Sequence, residues 1–96
     1  MSEAFEALAD AERLLGDPSR ARDAAISALR ALLEAWSVPP QGETVVALLE
    51  QAAQTDDSLL EFRTEASVLD RFPDEPDAAE RAKIFVDAAR ARLANI

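Results

Sequence analysis

A chain of 96 residues is the size of one domain, and folding at this length buries only about 60–65% of the surface that the unfolded chain exposes, so residues 1–96 are expected to share one modest core. Nineteen acids against ten bases give a net charge of −9, which disfavours nucleic acid as a partner, because that recognition neutralises phosphates with clustered Lys and Arg. The lack of Cys and His excludes a disulfide framework and removes the usual imidazole base of acid–base or nucleophilic catalysis.

Twenty-one alanines with only two glycines and five aromatics favour helix over sheet, since strands select branched and aromatic residues. Ser2 is placed to cap a first helix carrying Ala4, Phe5, Leu8, Ala11 and Leu15 on one stripe, with Gly16 closing it. Asp17-Pro18 then reads as an N-cap followed by a proline in the first helical position. The second helix, residues 18–37, repeats Ala21, Ala25, Ala28, Leu29, Leu32 and Trp36, with Ile26 and Leu33 as a further seam. An apolar surface that wide predicts a central helix touching several neighbours.

Pro39-Pro40 stops this helix, and a third follows over residues 43–54 with Val45, Leu48, Leu49 and Ala52 inward. A polar break, Thr55 to Ser58, offers several N-cap candidates before a fourth helix over 58–70 that buries Leu59, Phe62, Ala66 and Leu69. Pro73 and Pro76 prevent its continuation, and Pro76 suits the first turn of a fifth helix, 77–94, presenting Ala78, Ala82, Phe85, Ala89 and Leu93. Five amphipathic helices joined by short connections predict antiparallel neighbours, so the expected fold is an all-α, up-and-down helical bundle of five helices. No apolar run reaches the roughly 18–20 residues that a bilayer demands. The acidic start, Met1 to Glu6, is unlike a secretory signal. No membrane and a cytoplasmic location are therefore expected.

Three segments resemble the HEPN domain, a small helical bundle associated with nucleotide chemistry. They are the helix Ala24 to Leu33, the segment Gly42 to Leu49 opening the third helix, and Arg71-Phe72-Pro73-Asp74 ahead of a last helix rich in spaced alanines. The likeness spans residues 5–94. It implies a homodimer and a separately encoded nucleotidyltransferase as partner. Active members of that family cleave RNA with an arginine and a nearby histidine, and some are adenylylated on a tyrosine. Glu43 stands where the histidine would sit, and the chain contains neither His nor Tyr. The ribonuclease activity and the modification are therefore not carried over.

Arg71 and Phe72 are the sharpest candidate site. An arginine beside an aromatic can grip a phosphate or stack on a base, and the start of the fifth helix, with Arg81, adds positive character for an anion. The competing reading ties Arg71 to Asp70, Asp74, Glu75 or Asp77 and tucks Phe72 inward against Leu69 or Phe85. Ile26, Leu33 and Trp36 are the candidate interface, since the girth of the second helix exceeds what its neighbours need. The acidic stretch lacks the glycine and alternating ligands of a calcium loop, so no metal and no cofactor are expected. The expected function is a non-catalytic interaction or regulatory module rather than an enzyme. The alternative is a nucleotide- or phosphate-binding domain using Arg71, Phe72 and the start of the fifth helix.

Overall fold

In the computed structural model, which describes residues 2–94 with side chains from residue 4 onward, the backbone forms five α-helices: α1 (Ser2–Leu14), α2 (Ala21–Ala35), α3 (Val45–Ala53), α4 (Arg63–Arg71) and α5 (Ala78–Leu93). Each helix packs against the next in sequence, and α5 returns to α2 and α1, as an up-and-down bundle requires. The Ser2 cap lies outside the described side chains.

Helix α2 is central because its apolar positions wrap most of its circumference. Ala21, Ala24, Ala25, Ala28 and Ala31 are fully buried, as are Leu29, Leu32 and Leu33. Methyl-sized side chains at so many buried positions let neighbouring helix axes approach closely. Asp17 caps the approach as expected: its carboxylate accepts from the Ser19 N–H (3.0 Å) and hydroxyl (2.7 Å), which holds that carboxyl below its ordinary pKa. Pro18–Arg20 is a 3₁₀ turn, and the α-helix proper begins at Ala21. At the far end Val38 N–H bonds Leu33 C=O and Ser37 N–H bonds Glu34 C=O, the paired pattern of a Schellman stop. Its left-handed residue is Ser37, with φ of 60°, where glycine is usual.

The fourth predicted helix divides in two. Asp57–Phe62 is 3₁₀ and only Arg63–Arg71 is α-helical. Leu59 and Phe62 are three apart, so a three-residue turn aligns both inward; Leu59 is buried and the Phe62 ring meets Phe85 edge-on at 6.1 Å. Asp56 caps this turn through the Ser58 N–H and also accepts from Arg92 Nε at 2.7 Å, tying it to α5. These bonds, Ser58 first, depress the Asp56 pKa. Pro76 does not occupy the first turn of α5. It precedes Asp77, and the helix starts at Ala78.

Candidate interaction site

Two loops bounded by prolines leave the bundle, after α2 and after α4, and the second carries the candidate site. Helix α4 ends where Phe72 adopts φ −131° and ψ 63°, outside the helical region. Its N–H still bonds Val68 C=O at 2.7 Å. Had the helix continued, Phe72 would have shared the inward face with Leu69, three residues earlier. The break turns it outward instead, and Phe72 is 54% exposed. The inward packing expected from its place in the sequence does not occur.

Asp70 anchors this corner. Its carboxylate accepts from the backbone N–H of Val45 (3.0 Å, Oδ1) and Val46 (2.9 Å, Oδ2), the first residues of α3, and from Arg22 Nε on α2 at 2.9 Å. With Thr44 Oγ1 accepting from Ala47 N–H at 3.0 Å, three of the unpaired donors at the start of α3 are satisfied. The Asp70 side chain is only 16% exposed. One carboxylate thus joins three helices.

Arg71 was expected to bond a neighbouring acid, but two of the four are engaged elsewhere, and Asp74 and Glu75, which share a hollow with it, form no ion pair with it. Asp70 serves α3 and Arg22, and Asp77 pairs with Arg81 one helical turn away. Eight of the ten bases form an ion pair: Arg13, Arg20, Arg22, Arg63, Arg81, Lys83, Arg90 and Arg92. Among the described residues only Arg30 and Arg71 have no carboxylate within 4.0 Å.

Arg71 and Phe72 stand between two shallow hollows. One, of about 300 Å³, runs along α4 between Arg63, Thr64, Ser67, Val68 and the Arg71-Phe72 pair, with no carboxylate in its lining. The other, of about 280 Å³, lies on the loop side and is lined by Arg71, Phe72, Pro73, Asp74 and Glu75. Arg81 lines neither, so the structure unites Arg71 with Phe72 and leaves Arg81 apart.

The expected interface residues do not share one surface. Leu33 is wholly buried, because α2 is contacted by all four other helices and none of its apolar girth is left over there. Trp36 is half-buried against the core at the end of α2. Ile26 is half-buried beside the other unpaired base, in a hollow of about 390 Å³ that also holds Arg30, Glu34, Asp10 and Asp23. Among the described residues no group of three or more acids is arranged to hold a metal ion.

No protein-family model, curated protein or solved structure matches this chain.

Proposed function

We propose that this chain is a HEPN-like, non-catalytic interaction or regulatory module that works as a homodimer in the cytoplasm, with a separately encoded nucleotidyltransferase as a candidate partner. The observation that carries this reading is the Arg71-Phe72 corner. An aromatic side chain more than half exposed and an arginine with no carboxylate within 4.0 Å among the described residues sit side by side on a segment held by Asp70, Pro73 and Pro76. Tyr, Trp, Phe and Arg are the residues that interfaces favour. Holding them on a fixed backbone lowers the entropy lost on association.

The lack of an imidazole or thiol, together with an acidic surface that repels phosphate chains, supports a non-catalytic role. Two measurements test it. Sedimentation should show a dimer at tens of micromolar, and a clean monomer there rejects the dimer. RNA incubated with the purified protein should stay intact, and cleavage abolished by substituting one acid or arginine rejects the non-catalytic reading.

A second reading, a nucleotide- or phosphate-binding domain, is favoured by the carboxylate-free hollow with its two arginines and two hydroxyls. It predicts that nucleotide raises the melting temperature, as a ligand selective for the folded state must. An unchanged melting temperature at millimolar nucleotide rejects it.

A further inference from the structure

We infer that the homodimer proposed above closes across Phe72, with Arg71 of each copy placed against Asp74 and Glu75 of the other. This rests on the dimer reading and assigns its surface.

The sequence placed the dimer on α2, where Leu33 is inaccessible and Trp36 is packed against the core. The corner after α4 has what that face lacks. Along the chain its order is base, aromatic, acid: Arg71, then Phe72, then Asp74 and Glu75. In space Arg71 and Phe72 line both hollows, with Arg63 in the one along α4 and Asp74 and Glu75 in the one on the loop side, so positive charge lies toward α4 and negative charge toward the loop. A two-fold axis through Phe72 reverses the order for the second copy. Each base then faces an acid, and the two aromatic rings meet at the axis. A patch with both signs flanking one apolar residue is self-complementary, which is the condition for an isologous interface.

The charges fit this occupant better than a partner of a single sign. An acidic peptide would be drawn to the hollow along α4 but repelled by Asp74 and Glu75, and a basic one would meet the reverse. Arg71 is free to engage, having no internal ion pair among the described residues. Arg63, further along the same hollow, is held by Glu50 at 3.2 Å in an exposed pair, which holds it only weakly. The corner itself is fixed by the Val68 and Asp70 hydrogen bonds, so apposition of two copies orders little additional backbone.

The test is a charge exchange read by sedimentation on the full chain. Arg71→Glu and Glu75→Arg should each raise the dimer Kd about tenfold or more, since each variant places like charges opposite one another. Mixed in equal amounts, the two variants should form a heterodimer, because each supplies the sign the other lacks. Thermal unfolding of each variant checks that it folds. Wild-type protein that dimerises while both variants dimerise equally well moves the surface elsewhere and leaves the dimer reading standing. Variants that weaken the dimer without rescue on mixing also overturn the pairing. Wild-type protein that stays monomeric at tens of micromolar rejects both the surface and the dimer.

Discussion

The two proline-bounded loops, 36–44 after α2 and 72–77 after α4, have opposite fates. The first is tied to the bundle at several points along its length. Trp36 and Val38 pack on the core, and the Gln51 side chain on α3 donates to Pro39 C=O (2.7 Å) and accepts from Gln41 N–H (3.0 Å). Gly42 lies so close to α3 that a Cβ would come within 2.6 Å of the Ala47 Cβ. The second loop is tied to the bundle at its start, by Asp70 and by the bond from Phe72 N–H to Val68 C=O. It turns on its own bond from Glu75 N–H to Phe72 C=O (3.4 Å) and leaves the side chains of Phe72, Asp74 and Glu75 exposed. Prolines alone therefore do not separate a structural loop from one available to a partner. What separates them is whether the side chains of the loop and its neighbours are consumed by internal contacts.

The largest expected effect is at the anchor of the second loop. Asp70→Ala removes the acceptor for Val45 and Val46 N–H and leaves a part-buried Arg22 unpaired. Loss of a cap and of a hydrogen-bonded charge together should lower stability by about 3 kcal/mol. Urea unfolding measures it. A loss below about 1 kcal/mol would show that water or another side chain replaces the carboxylate. Gly42→Ala comes next, at about 2 kcal/mol, because the clash is with a short side chain fixed on a helix and the loop must move to relieve it. A neutral result by thermal unfolding would mean that this loop is looser than its contacts suggest. Gln51→Ala should cost about 1.5 kcal/mol for two hydrogen bonds. It should also speed hydrogen exchange at the Gln41 amide, the more specific readout of the two.

Much of this contrast was beyond reach of local sequence patterns. The five helices follow from apolar spacing, Asp17-Pro18 and the two proline stops, all of which act within a few residues. The central place of α2 follows from the width of its apolar face. Asp70, by contrast, sits in an acid-rich stretch with no local mark to distinguish it from Asp74 or Asp77. Its partners are 24, 25 and 48 residues away, a pairing set by how α4 crosses the start of α3. Once Asp70 is committed there, Arg71 loses its nearest acid. The outward turn of Phe72 depended on a single backbone step, since its spacing from Leu69 matches an inward helical position. Leu33 misled for a different reason: apolar girth counts neighbours, and α2 has four of them.

The smallest effects are expected at Arg71 and Phe72, and here the smallness is informative. A wholly buried phenylalanine contributes several kcal/mol, and its truncation costs about 3–5 kcal/mol. Phe72 keeps less than half of its surface covered, so Phe72→Ala should lower monomer stability by about 1 kcal/mol or less. Arg71→Ala breaks no ion pair among the described residues and should fall within about 0.5 kcal/mol of zero. Urea unfolding must be done dilute, where the monomer is the reference, because dimerisation adds its own concentration-dependent stability. The contrast between the loops then becomes quantitative: Gly42→Ala and Gln51→Ala should change the midpoint alike at low and high protein concentration. Phe72→Ala should matter more as concentration rises, because its larger role is at the proposed surface. If Phe72→Ala instead costs 3 kcal/mol at every concentration, the ring belongs to the fold and the two loops are alike after all.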